Sequence, residues 1–582
     1  IKLIYEGDKP LKLQADGSIS IKTKLGTLTE AKPYTYEEGN NNEIASKYKL
    51  TPINKNKTLL EFNLANHNTN NTLIIDPQLN WGTFFGGTGF DGPTSIETDN
   101  LGNIYIAGYT YSMSFPTWNP GGGAYYDATY NGGAGDVLIS KFSNNGNLLW
   151  STFYGGSNMD WAFFITCDNI GNVFLTGITR SNNFPILNPG GGAYFQGANA
   201  GSTDVFVLKF SNTGVRLWST YYGGSDDEEG YSITCDNVGN VFVTGYTNST
   251  NTPTLNPGGS YFQGTISGIG SNDAFILKFS NTGVLLWSTY YGGSFDEEGF
   301  SIACDNVGNL FVTGGTFSTN FPTLNPGGGA YFQGANSGNK DVFILKFSNT
   351  GVLLWSTYYG GSAFEEGYSI ICDNTGNVFI SGQTFSTNFP TLNPGGGAYF
   401  QGANSGNGDA FILKFSNTGT QLWATYYGGS NIEGFNSYDN LAVDACGNLY
   451  VSFHTESTNT PTLSSQSSCG GFNDNSLTGT RDQFLIKFTN TGQRLWATYV
   501  GGDGVDFRSP IATYNVGNLF LSGEWGYVTN NATYPLANPG GGAYYDPTFN
   551  GGEDGFIMKF TPIPPTYSQS QTNSSGCSAC NG

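Results

Sequence analysis

Histidine is nearly missing from this chain: 2 residues in 582, His67 and His454. They lie far apart in sequence, which argues against a histidine-based triad, and no H-E-x-x-H, G-x-S-x-G, P-loop or dinucleotide fingerprint is present. Charge is also scarce, at 12% of residues, and one-sided, with 23 Lys and Arg against 44 Asp and Glu for a net charge of −21. Phosphate backbones need clustered cations, so nucleic acid is not an expected partner, and an anionic membrane surface is disfavoured for the same reason. No apolar run approaches the roughly twenty residues that span a bilayer, and no charged-then-apolar leader starts at Ile1. We therefore expect no membrane insertion, and a chain that either has been processed or begins inside a longer precursor.

What the chain has in quantity is glycine, 85 residues, and aromatics, 15%. That balance suits many short strands joined by glycine turns, an all-β protein. Self-comparison is more specific. Trp81, Trp150, Trp218, Trp287, Trp355, Trp423 and Trp496 stand 69, 68, 69, 68, 68 and 73 residues apart, each in a phrase like "LLWSTYYGGS". Each of the seven units contains four β-type runs, such as "SIACD", "NLFVTGGT", "DVFILKFS" and "VLLWSTYYG", with "DNVGN" and "SNTG" as hairpin turns. Four strands per repeat read as propeller blades. The ends are complementary: the first Trp strand, from Leu79, has no third strand before it, and the last third strand, from Asp554, has no fourth after it. Pairing them hides both sheet edges. The expected architecture is a seven-bladed β-propeller of four-stranded blades over 79–561, closed by its N-terminal strand. A small β-rich domain over 1–78 precedes it, and a flexible Pro/Ser/Thr/Gln-rich tail over 562–582 follows.

The phrases "GGSFDEEGFSIACDNVGNLFVTGGTFSTNFPT" and "DVFILKFSNTGVLLWSTYYGG" resemble the bacterial β-propeller repeat family called SBBP, and the likeness runs through all seven units. Residues 1–78 are similar to the β-rich module that often precedes such repeats. The resemblance implies an extracellular or cell-surface bacterial protein, in some lineages one exported by the type IX system. It implies no particular reaction. The segment after Cys580 departs from larger members in carrying no recognisable sorting module.

One acidic position recurs in every unit: Asp91, Asp160, Glu228, Glu297, Glu365, Glu433 and Asp506. On a propeller this connection and the long loop between second and third strands are expected on one face. Two readings stay open. The acids form a ring that gathers Ca²⁺ or orients sugar hydroxyls, or each accepts local backbone N–H groups and holds blade to blade. A second recurring pair, Asp136 with Lys141 and its six equivalents, has odd spacing and so points to opposite strand faces. We read that pair as architectural.

The long loops, "FPTLNPGGGAYFQGANSG" in the fourth unit, carry paired aromatics at Tyr194 and Phe195, Tyr331 and Phe332, and Tyr399 and Phe400. These either stack on sugar rings or pack the loops onto the blades. Cys167, Cys235, Cys304 and Cys372 share one first-strand position and are expected as free, buried thiols. Cys446 and Cys469 are the candidate disulfide, and Cys577 and Cys580 form an isolated C-x-x-C. No catalytic constellation emerges, so no catalytic residue is assigned. The expectation is a non-catalytic binding or scaffolding module of adhesion type for polysaccharide or a surface protein, part of a larger surface assembly, with no cofactor beyond Ca²⁺. The alternative is a polysaccharide-active hydrolase or lyase using a subset of the acid ring.

Overall fold

The computed structural model describes strand segments between 2 and 76, and then 79–561 apart from 257, 260, 269, 436–437, 464–473, 516, 527–533 and 541. All regular structure among the described residues is β. In the N-terminal stretch, Lys57–Leu64 pairs with both Lys2–Glu6 and Ser46–Asn54, Ile19–Lys22 lies between Lys12–Leu13 and Thr27–Glu30, and Tyr34–Glu37 pairs with Leu73–Asp76.

From residue 79 the chain forms seven antiparallel sheets. Blade 1 has strands Asp91–Thr98, Ile104–Thr110, Asp136–Phe142 and Leu148–Tyr154, ordered from the propeller axis outward. Blades 2 to 5 repeat this pattern, with first strands at Asp160–Cys167, Glu228–Cys235, Glu297–Cys304 and Glu365–Cys372. In blade 6 the first strand is split into Glu433–Gly434 and Leu441–Val443, and in blade 7 into Val505–Phe507 and Ile511–Tyr514. Closure occurs as the chain ends require: Leu79–Phe84 is the fourth strand of blade 7, pairing with Glu553–Phe560 so that Trp81 faces Lys559.

The apolar core lies between blades. Tyr105, Val137 and Trp150 of blade 1 pack with Ile165, Leu175 and Phe206 of blade 2 in one cluster, and the other junctions repeat the scheme. A second device also crosses the junctions. Lys141 reaches the Asn212 carbonyl at 2.8 Å in the next blade's outer hairpin, and Lys209 and Lys346 reach those of Asn281 and Asn417 at 3.1 and 2.9 Å. The repeated lysine is thus a tie between blades. The "DNVGN" turns close on their own aspartate: Asp168 Oδ1 accepts the amides of Ile170 and Asn172, while Gly171 takes φ of +81°.

The long loops leave the blades on the face that carries the recurring acids, where Ser181 Oγ donates to Asp160 at 2.8 Å, but they do not stand up from it. Leu187 pairs with Ser219 and Gln196 with Tyr221, so the loop of blade 2 runs along its own fourth strand. Its tip reaches across to blade 3, where the Tyr194 amide meets the Gly283 carbonyl at 2.9 Å. An outermost strand would otherwise present a row of unpaired amides and carbonyls, and the loop supplies their partners.

Candidate functional site at the axial mouth

The seven recurring acids are fully buried. Asp91 accepts the Gly87 amide at 2.7 Å, Ser112 Oγ at 2.6 Å and Thr110 Oγ1 at 2.5 Å. Glu297 accepts the Gly293 amide at 2.7 Å and Thr316 Oγ1 at 2.6 Å. Asp160, Glu228, Glu365 and Glu433 take the equivalent Gly amides at 2.7 to 2.9 Å. Each of these acids therefore holds the tight crossing from one blade's outer strand to the next blade's inner strand. Of the two readings that the sequence leaves open, this geometry is that of the local one: burial and nearby donors hold these side chains at the crossings. Among the described residues no group of three or more His, Cys, Asp or Glu is arranged to hold a metal ion.

The loop aromatics divide. Tyr194, Tyr331 and Tyr399 pack inward against Tyr222, Tyr359 and Tyr427, with ring centroids 5.7, 4.8 and 4.8 Å apart. Phe195, Phe332 and Phe400 are each 37% exposed at the outer rim. The neighbouring glutamine explains the rest of "YFQG": Gln196 Nε2 donates to Asp204 Oδ2 at 2.6 Å, clamping the loop to the third strand. Cys167, Cys235, Cys304 and Cys372 are free and half-buried rather than fully buried. Cys446 is disulfide-bonded; Cys469, its expected partner, lies outside the described residues, as do Cys577 and Cys580.

The blades differ in chemistry in the long loop of blade 6 and around the axis. In blades 1 to 5 the inner strand carries a β-bulge at Thr94, Phe163, Tyr231, Phe300 and Tyr368. A bulge re-aims its residue, and four of these five are aromatic and meet at the axis. Phe300 stacks on Tyr438 at 5.5 Å and on Tyr368 at 5.4 Å, and Tyr231 lies 4.7 Å from Tyr438. This aromatic plug closes the axis.

Above the plug, at the end where the inner strands begin, the position after the recurring acid is occupied by Gly92, Trp161, Glu229, Glu298, Glu366, Gly434 and Phe507 in turn. Variation in this one column of a near-identical repeat is the signal in the sequence that marks the site, and the invariant column of acids beside it is the more conspicuous. Here Lys340 bridges Glu298 and Glu366 at 2.7 and 2.5 Å. On the other side Arg508 binds Glu524 at 2.6 Å, and Tyr109 donates to Glu524 at 3.3 Å. Arg508 has φ of +51°, a left-handed backbone that costs a non-glycine residue energy and persists only where the surrounding structure holds it. Beside it lies a cavity of about 470 Å³, walled by Tyr368, Phe435, Tyr438 and Phe507 and rimmed by Glu553. Burial and the hydrogen-bonded Glu524 push Glu553 up to about 7.

At the opposite end of the inner strands a second cavity of about 480 Å³ is lined by Glu97, Asp439, Cys304 and Cys372. Asp439 accepts Ser95 Oγ at 2.8 Å and the Ile96 amide at 3.1 Å, and burial pushes Glu97 up to about 7.

Comparison with known proteins fits this geometry at the level of architecture. The SBBP β-propeller repeat family matches at 217–251 and 286–322, each match covering an outer strand and the inner hairpin of the next blade. The chain carries SBBP-type β-propeller repeats at these two places, within a seven-bladed ring. Residues 1–78 match a domain of unknown function, DUF7948. Across 571 residues the chain is 22% identical to an uncharacterized WD repeat-containing protein of Acanthamoeba polyphaga mimivirus, covering 84% of the chain and 40% of that protein. The chain thus spans about 40% of the length of the curated relative it matches. Among solved structures, a protein of unknown function from Dyadobacter fermentans aligns with 82% of the chain and 98% of its own, at 10% identity and a TM-score of 0.36. An apocarotenoid oxygenase of Synechocystis aligns with 76% and 87%, at 10% identity and a TM-score of 0.32. Likenesses this distant carry no argument about activity.

Proposed function

We propose that this propeller is a non-catalytic binding module of a secreted or cell-surface assembly, engaging a polysaccharide or a surface protein at its axial mouth. The observation that carries the reading is where the repeat breaks. All fourteen acids in the two recurring columns are fully buried at the blade junctions, whereas differing side chains gather around one cavity of aromatic faces and carboxyls. Aromatic faces offer contact area at little entropic cost, and polar groups beside them fix orientation. Repetition elsewhere builds a rigid frame for that one asymmetric surface.

A second reading has its own observation. Glu524 and Glu553 are paired in the cavity with Glu553 raised to about 7, and perturbed carboxyl pairs in clefts are candidates for acid–base chemistry. Retention on a panel of immobilised polysaccharides, followed by analysis of released products, separates the two. Retention without product supports the binding module; product release abolished in Glu553→Gln supports the enzyme. Failure of every polysaccharide to retain the chain moves the partner to a surface protein.

A further inference from the structure

The axial mouth already holds three of the protein's own cations in the same manner, among them Arg481, which binds Glu456 at 2.5 Å and lies over one face of the Phe507 ring at 5.5 Å. Lys340 sets its ammonium between Glu298 and Glu366, with the ring centroids of Phe300, Phe317 and Phe364 at 5.2, 5.2 and 5.5 Å. Arg508 sets its guanidinium on Glu524 and over the Tyr109 ring at 5.4 Å. A carboxylate neutralises the charge while a ring face offers its negative quadrupole, a combination that is strengthened when water is excluded. The cavity next to Arg508 presents the same two ingredients to the outside, with Tyr368, Phe435, Tyr438 and Phe507 as walls and the half-exposed Glu553 at the rim.

We propose that this cavity recognises an alkylammonium group, an amine or quaternary ammonium carried by the ligand, seated against the aromatic walls and neutralised by Glu553. The inference rests on the axial mouth being the binding surface and names the chemistry of what enters. The chain's net charge of −21 favours the approach of a cation. Binding releases to solvent the proton that Glu553 holds against Glu524. The other charged or titratable groups facing Glu553 are Arg508 and Tyr109, which stay engaged with Glu524. Because Glu553 is raised to about 7, the cation must compete with a proton below that pH, and affinity rises as pH passes upward through it.

The test is a titration of the full chain with tetramethylammonium and with its uncharged isostere 3,3-dimethylbutanol, followed by NMR of the aromatic protons at about pH 6 and about pH 8. Saturable shifts with tetramethylammonium alone, several-fold tighter at the higher pH, are expected. Glu553→Gln should weaken binding by roughly tenfold and flatten its pH dependence. Choline, a peptide bearing trimethyl-lysine and glucosamine then distinguish a small molecule, a protein and an aminosugar as the source of the group. Equal binding of the uncharged isostere, or no saturable shift with the cation, overturns the proposal. Retention on a polysaccharide without amino groups alongside such a result would leave the binding module standing and remove only this ligand. If Glu553→Gln does not fold, Phe507→Leu carries the test, with a loss of tetramethylammonium affinity at an unchanged melting temperature as the expected result.

Discussion

Asp136 and Asp160 face each other across the junction of the first two blades with Gly155 between them: Asp136 Oδ1 and Asp160 Oδ2 lie 3.0 and 2.9 Å from the point where a Cβ on Gly155 would stand. Asp204 with Glu228 at Gly223, Asp273 with Glu297 at Gly292, Asp341 with Glu365 at Gly360 and Asp409 with Glu433 at Gly428 repeat the relationship. Asp482 with Asp506 at Gly501 and Asp554 with Asp91 at Gly86 complete the ring. The two recurring acidic columns and the first glycine of each "GG" are therefore one structural unit, a pair of buried carboxyls clasping a bare backbone.

A methyl group at Gly155 must displace carboxyls that are themselves held by hydrogen bonds. Gly155→Ala should cost about 1–3 kcal/mol, as overpacking does, and lower the melting temperature more than Gly191→Ala. Gly191 has φ of +65° but no atom within 4 Å of an added Cβ. Equal melting temperatures for the two variants would remove the clasp as the reason for the glycine.

Burial pushes Asp136, Asp409 and Asp554 up to about 7, and Asp160, Asp204, Asp273 and Asp341 up to about 6. In an unfolded chain such groups titrate near 4, so between these values the folded state holds protons that the unfolded state has lost. Their contribution to stability is fully present below about pH 4 and is lost as pH rises through 6 to 7. Thermal melts across this range should show falling stability, with a shallower slope in Asp136→Asn. A melting temperature that climbs from pH 4 to 7 would contradict the assignment.

Lys340 is buried between two carboxylates. Lys340→Met leaves both without their cation and should cost about 3–5 kcal/mol. Adding Glu298→Gln and Glu366→Gln to that variant should restore much of the loss, as measured by denaturant unfolding; no recovery in the triple variant would mean that packing, not charge, sets the cost.

Trp81 is 1% exposed in the strand that closes the ring. Trp81→Ala should cost about 3–5 kcal/mol, whereas Trp118→Ala, at a residue 55% exposed, should change little. A stable Trp81→Ala protein of unchanged size in solution would show that closure does not depend on this strand.

Burial pushes the thiols of Cys235 and Cys304 up to about 12. Alkylation requires the thiolate, so the folded protein near pH 8 should react with iodoacetamide far more slowly than the unfolded chain. Labelling of both forms at similar rates would show these thiols to be open and ionised.

The sequence by itself determined the architecture. Tryptophans spaced at 68 to 73 residues, four strand-like runs per unit and complementary ends admit one economical arrangement, because every edge must find a partner. It also marked Cys446 for a disulfide and the Asp and Lys columns as framework. Tertiary structure alone decided what the repeated residues face. A column of seven acids reads the same whether it lines an open ring or clasps a glycine backbone, and only the crossing geometry buries it. Whether "NPGGGAYFQG" rises from a face or lies along a strand depends on the outer edge it satisfies. The axial mouth was least legible of all. Its members, from Tyr109 to Glu553, are scattered over some 440 residues and converge only because a closed ring brings its first and last blades together.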